Sequence, residues 1–256
     1  MEQNFNNVAL IIAHPGHELR VFRFIELYKP RVYVLTDGAG SSGDSRLYNT
    51  IAILEKCGAS ISSIMGHYSD REIYRIMLEK DYLSLTTLVQ KILLDFEEHN
   101  IQMVVGDAIE GYNPTHDLCR YLINLIVSLK EVNDGVGLSN FDFLLDGVMS
   151  EEEGDLVIQL DNADFERKQR AAEGYTELSK ELESTIQKYG NSPFMVESLR
   201  KVQQPHTFSS WGEGVPFYEQ YAREKVSKGV YDKAISFQEH LLPLIHHLST
   251  NLSGRQ

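Results

Sequence analysis

Val8-Ala9-Leu10-Ile11-Ile12 is an unbroken apolar run, and no other feature constrains the fold of this chain as strongly. Five consecutive apolar residues rich in branched side chains read as a strand covered on both faces, which occurs in parallel sheets flanked by helices. The pattern then alternates. Val21, Phe22, Phe24, Ile25 and Leu27 have helical spacing within Leu19 to Leu27, Pro30 stops them, and Arg31 to Thr36 reads as a second strand. A helix follows over Leu47 to Lys56, closed by Cys57-Gly58, then a short strand over Ser60 to Ile64 and a loop around His67-Tyr68-Ser69-Asp70. An amphipathic helix over Leu83 to Glu98 leads to a strand, Ile101 to Gly106, ending at Asp107, and to a helix from near Asp117 to Lys130. Phe141 to Leu145 and Leu156 to Leu160 read as strands, and Ala163 to Lys188 as a charged helix. This alternation predicts a doubly wound, mostly parallel α/β sheet of Rossmann-like type over residues 1–190. Residues 191–256, with helical patterns at Phe217 to Ser227 and Tyr231 to Leu248, read as a helical extension packed on that core.

Open sheets of this kind place ligands beyond the carboxyl ends of their strands. Three loops leave that edge. The first, Ala13-His14-Pro15-Gly16-His17-Glu18, carries two histidines; the second, Asp37 to Ser45, is rich in glycine and serine; the third, Ala108 to Asp117, carries His116. Imidazole is the commonest protein metal ligand, and a catalytic zinc takes three protein ligands and keeps one position open. The fold would carry His116 toward His14 and His17, which makes the three a candidate ligand set.

Charge narrows the partners. The formal net charge of the 256 residues is −13, and no Lys or Arg occurs from Glu131 to Glu166, so neither a polyphosphate surface nor an anionic membrane is the expected partner. The two cysteines, Cys57 and Cys119, form no C-x-x-C pair, the first seven residues are polar, and no apolar run approaches the ~20 residues of a membrane span. A reduced, cytoplasmic setting is the expectation, and a homo-oligomer is compatible with it.

Ala-His-Pro-Gly-His-Glu, Val34-Leu35-Thr36-Asp37-Gly38-Ala39-Gly40, Arg46 with the later Gly58, and Asn113-Pro114-Thr115-His116 occur in an order that resembles the PIG-L/LmbE-like zinc-dependent N-deacetylases. Lys168 to Tyr175 is similar, more weakly, to a later helix of that family, so the resemblance spans about residues 8 to 175. It implies a Zn²⁺ ion held by His14, His17 and His116, with His17 standing where the family has an aspartate. Three imidazoles in place of two and a carboxylate leave more positive charge on the metal, which favours hydroxide there. The family's general base falls on Gly16, which has no group to accept a proton; Glu18, Asp107 and Glu110 are the acids at the same sheet edge that could replace it. Asn113 takes the place of a histidine that supports the tetrahedral intermediate, and Arg46 that of a substrate-binding arginine. The resemblance thus implies a hydrolase removing acetyl from a small N-acetylated sugar or glycoconjugate. The alternative is a metal- or sugar-binding protein of the same fold that has lost the activity. A nucleotide binder fits less well, because Gly38-Ala39-Gly40 lacks the full glycine fingerprint and follows the second strand, not the first.

Overall fold

The computed structural model describes residues 7–40, 43–135, 137–145, 154–175, 187, 190, 194–203 and 214–253. Seven strands form one sheet in the order β3-β2-β1-β4-β5-β7-β6: β1 Val8–Ile12, β2 Arg31–Thr36, β3 Ser60–Tyr68, β4 Met103–Asp107, β5 Ser139–Phe143, β6 Leu156–Gln159 and β7 Val196–Lys201. β1 to β5 are parallel, whereas β7 runs antiparallel to both β5 and β6. The helices are α1 Phe22–Tyr28, α2 Leu47–Cys57, α3 Asp70–Glu79, α4 Tyr82–Glu98, α5 Pro114–Asp134, α6 Asn162–Ala172, α7 Phe217–Ser227 and α8 Leu242–Ser253.

Every residue of β1 is buried because both of its faces are covered. Ala9 and Ile11 face a core built with Ile73 and Met77 of α3, Leu85 and Val89 of α4, Leu122 and Ile126 of α5 and Leu244 of α8. Val8, Leu10 and Ile12 face the other core, with Phe24 and Ile25 of α1 and Ile53 and Leu54 of α2. Chain order reverses at β1, which pairs with β2 on one side and β4 on the other, so the switch-point crevice opens between the carboxyl ends of β1 and β4. Gly106 lets these two strands and α5 approach: a Cβ there would lie 2.3 Å from the Ile11 carbonyl oxygen and 2.5 Å from Ile123 Cδ1.

Several predicted elements differ from the structure. β3 extends to Tyr68 instead of ending at Ile64, and its pairing with β2 shifts register twice. Ser69 is not in a loop; it caps α3 in a reciprocal capping box with Glu72, a helix the sequence reading passed over. α5 starts at Pro114, earlier than Asp117, because Asn113 accepts the Thr115 N–H and proline fits the first helical position. β7, from the segment expected to be a helical extension, inserts into the sheet between β5 and β6. The expected helix from Tyr231 begins only at a π-helical turn, Phe237–Leu241, where buried Glu219 accepts the Phe237 N–H at 2.9 Å. The helix expected over Ala163 to Lys188 ends at Ala172, capped at Glu173, and Gly174 and Tyr175 beyond it are not helical; most of the rest of that segment, and Trp211 with its surroundings, lie outside the described residues.

Candidate metal centre

The first loop is held open by backbone bonds that its sequence permits. Ala13 N–H donates to Asp107 Oδ2 at 2.8 Å, and the Ala13 carbonyl accepts from Thr36 N–H at 3.0 Å, tying the ends of β1, β2 and β4 together. Gly16 has φ 107°, where an L side chain is strained, and its N–H donates to Glu18 Oε2 at 2.7 Å. That turn starts a short 3₁₀ helix, His17–Val21, with His17 at its head.

His14, His17 and His116 meet at this edge. Their ring centroids are 5.4 Å (His14–His17), 5.0 Å (His14–His116) and 4.5 Å (His17–His116) apart, all edge-on to one another. His116 stands in the first turn of α5, His14 is buried, and His17 and His116 are partly so. Taking one nitrogen from each ring, the donors do not all fall within 4.8 Å of one another. A tetrahedral ion with bonds of ~2.0–2.1 Å places its donors ~3.4 Å apart, so an ion held by all three rings would require at least one donor pair to close from beyond 4.8 Å.

Carboxylates lie behind two of the rings. His17 Nδ1 is 2.9 Å from Asp107 Oδ2, while His14 Nδ1 is 2.6 Å from Thr36 Oγ1 and 3.1 Å from Asp70 Oδ1. Among the described residues, His14 Nε2 and Asp107 Oδ1 are buried and have no hydrogen-bond partner. Burial lowers the pKa of His14 and, together with its histidine neighbours, takes that of His116 well below 6.5, so both rings are neutral near pH 7.

The other expected site residues are distributed unevenly. Glu18 is fully buried, but its oxygens bond Gly16 N–H and the Tyr175 hydroxyl, which also bonds Thr50 at 2.6 Å, so this acid is a brace between the first loop and α2. The Glu110 carboxylate accepts the Leu145 N–H at 2.8 Å just beyond β5. Asn113 uses Oδ1 as the α5 cap, leaving its amide nitrogen for another partner. Arg46 donates from Nε to the Gly38 carbonyl at 2.6 Å and lies against the glycine-rich loop beside Pro15. Asp117, next to His116, accepts the Glu110 and Gly111 N–H groups at 3.1 Å each, and burial raises its pKa to about 7. Asp70 and Thr36 were missed as site residues. Asp70 carries no local signal, since α3 brings it in from a remote part of the chain; Thr36 was read as the end of a strand and as part of the second-loop motif, with no role given to its hydroxyl.

Another cluster meets the 4.8 Å spacing: Asp95, Glu98 and His99 at the end of α4. Asp95 there accepts from Arg31 Nε at 2.6 Å, Arg31 Nη2 at 2.8 Å and the Tyr33 hydroxyl, so its oxygens are already in use.

No protein-family profile and no curated protein matches the chain. Solved structures do. The zinc-inhibited form of teicoplanin deacetylase Orf2 is 14% identical, with 77% of this chain and 99% of that one covered and a TM-score of 0.48. The A40926 pseudoaglycone deacetylase Dbv21 is 13% identical, with 73% and 87% covered and a TM-score of 0.43. The conserved protein TT1542 from Thermus thermophilus is 12% identical, with 82% of this chain and all of that one covered (100%) and a TM-score of 0.51, which makes the likeness one of fold.

Proposed function

We propose that this chain is a zinc-dependent amide hydrolase acting on an N-acetylated sugar or related glycoconjugate, with His14, His17 and His116 as the metal ligands. The observation that carries the reading is the buried, unpartnered Nε2 of His14 in a cluster of three imidazoles at the switch point of the sheet. A buried polar atom without a partner costs about 1–3 kcal/mol, and a metal ion removes that cost. Outer carboxylates on Nδ1 are the usual companions of metal-binding histidines, and His14 and His17 each have one. The resemblance of the first and third loops to PIG-L/LmbE-like deacetylases gives the reaction class.

The carboxylate absent from the ligand set is supplied one bond further out. Asp107 lies behind His17 and Asp70 behind His14, so two carboxylates would offset the charge of a divalent ion held by the three imidazoles. This tempers the excess positive charge expected from the ligand set alone. Zinc held by His14, His17 and His116 would supply a Lewis acid and lower the pKa of a water molecule. Of the three acids considered as a base, Asp107 is the one with a buried oxygen unused among the described residues, and it would take the proton at Oδ1. Asn113 would donate its free amide N–H to the developing oxyanion. Arg46, at the rim of the glycine-rich loop, would bind a substrate hydroxyl or phosphate.

A second reading, a metal- or sugar-binding protein without hydrolytic activity, is favoured by Gly16, whose φ of 107° disfavours any side chain at the family's base position. Acetate release by zinc-loaded protein from a panel of N-acetyl sugars decides between them. Release that disappears in Asp107→Asn supports the hydrolase; stoichiometric zinc without release supports the binding protein; protein that takes up no zinc overturns both.

A further inference from the structure

Asp70 stands at the start of α3, where its carboxylate is not needed as a cap. Ser69 Oγ already accepts the Glu72 N–H at 3.2 Å, and Glu72 Oε2 accepts the Ser69 N–H at 2.8 Å. The Asp70 side chain is instead turned to the sheet edge, 15% exposed, with Oδ1 in close contact with His14 Nδ1 at 3.1 Å and without a hydrogen bond among the described residues, and with Oδ2 accepting the Gly40 N–H at 2.6 Å. Its own N–H reaches Asp37 Oδ1 at 3.3 Å.

An ionised carboxylate can only accept, whereas the Thr36 hydroxyl beside it can both donate and accept. Two arrangements are open to the triangle of His14 Nδ1, Thr36 Oγ1 and Asp70. In one, Nδ1–H and the Thr36 O–H both donate to Asp70; in the other, Nδ1–H donates to Thr36, whose O–H passes on to Asp70. Both put the proton on Nδ1. Without the carboxylate, the Thr36 hydroxyl is free to donate to Nδ1, and the proton moves to Nε2, where it blocks metal ligation.

We infer that Asp70 is a positioning residue that holds His14 in the Nδ1–H tautomer and so presents Nε2, and that it ties this tautomer to the glycine-rich loop through Gly40. The inference rests on the reading of His14, His17 and His116 as metal ligands. It assigns to the site a residue outside the motifs of the first, second and third loops.

The test uses the full chain with Zn²⁺ and Co²⁺ as probes. Nitrogen-15 spectra of the apo protein should show His14 as the Nδ1–H tautomer, and Asp70→Ala should shift it toward Nε2–H. Competition with a chromophoric chelator should show Zn²⁺ affinity falling about 10–100-fold in Asp70→Ala and less in Asp70→Asn, which keeps an acceptor oxygen. The visible Co²⁺ spectrum should change in Asp70→Ala, and Asp70→Glu should restore part of it. Ser69→Ala, which removes the cap and keeps the carboxylate, should lower apo Tm and leave both affinity and tautomer unchanged. Tautomer and Zn²⁺ affinity equal to wild type in both Asp70→Ala and Asp70→Asn overturn the inference and leave the metal site standing. Wild-type protein that takes up neither ion overturns the metal reading, and the inference falls with it.

Discussion

Two of the buried polar centres at the sheet are finished differently. On β7, Glu197 is 1% exposed and uses both oxygens: Oε1 accepts the Arg23 N–H at 2.9 Å and Lys168 Nζ at 2.8 Å, and Oε2 accepts the Phe24 N–H at 2.8 Å. It sits at the amino end of α1, where backbone N–H groups and the helix dipole favour a negative charge. At the carboxyl ends of β1 and β4, by contrast, His14 Nε2 and Asp107 Oδ1 are as deeply enclosed yet have no partner among the described residues. Buried polar groups are nearly always satisfied in folded proteins; of the other unpartnered buried atoms among the described residues, Asp70 Oδ1, Thr115 Oγ1 and Asp117 Oδ2 adjoin His14 or His116, while Ser198 Oγ on β7 and the Tyr218 hydroxyl do not. The Glu197 centre is closed by groups of the chain itself, whereas on the proposed reading the histidine centre would be completed by a metal ion.

Breaking the closed centre should have the largest effect. Glu197→Ala strips Lys168 of its carboxylate, leaving it only the Arg20 carbonyl at 3.5 Å, and leaves two N–H groups of the α1 start unbonded, for an expected loss of about 3–5 kcal/mol of stability, read from urea unfolding. Zn²⁺ uptake per folded molecule should not change; a variant that folds normally but binds no zinc would merge the two centres and defeat the comparison. The reciprocal change comes next. His14→Ala should reduce Zn²⁺ affinity by more than the roughly 100-fold that outer-shell changes reach, with a smaller loss of apo stability than Glu197→Ala causes. Chelator competition and apo Tm measured on the same preparations make the contrast direct.

What the sequence made legible follows the same division. β1 and β2, apolar on both faces, and α7, bounded by Pro216 and ended near Gly229, were read from pattern alone. β3 was cut short because its burial does not alternate and its register shifts beside β2, so no period of two survives. α3 could have been found from Ser69-x-x-Glu72 followed by buried Ile73, Ile76 and Met77, but the polar residues before it looked like a turn. β7 was hidden by the inward-facing Glu197, which breaks the apolar alternation that would have marked a strand. The convergence of His14, His17 and His116 was legible because loops that leave the carboxyl ends of parallel strands share one edge. Asp70 was not, because its link to His14 exists only once α3 has docked.

A smaller effect comes from pH. An imidazole in the unfolded chain titrates near 6.5, and burial holds His116 well below that in the folded protein. Below pH 6.5 the unfolded state therefore binds a proton that the folded state refuses, and apo stability should fall as the pH drops, by at most about 1.4 kcal/mol per pH unit for each such histidine. Urea midpoints between about pH 7 and pH 5 should show that slope, and His116→Gln should flatten it. Added Zn²⁺ should steepen it, since ligation competes with protonation. Asp117, whose pKa burial raises to about 7, contributes with the opposite sign over this window, so the readout is the difference between wild type and His116→Gln, and no difference would mean that the histidine centre is solvated and not buried.

The smallest expected effect is the sharpest check on the logic. Asp95, Glu98 and His99 satisfy a simple spacing rule for a metal site better than the three histidines do, and a rule based on distance alone would choose them. Their hydrogen bonds argue otherwise. Arg31 and the Tyr33 hydroxyl occupy the Asp95 oxygens, and His99 Nδ1 lies 2.9 Å from the Asp95 carbonyl oxygen. A cation would have to displace a guanidinium that is already bound in two places, at a carboxylate that gains nothing from the exchange. Glu98→Ala should thus leave Zn²⁺ stoichiometry and affinity at their wild-type values and change stability by no more than ~0.5 kcal/mol, as for other exposed side chains. Loss of one equivalent of zinc in this variant would show that donor spacing outweighs hydrogen-bond satisfaction, and would remove the ground on which the two buried centres were told apart.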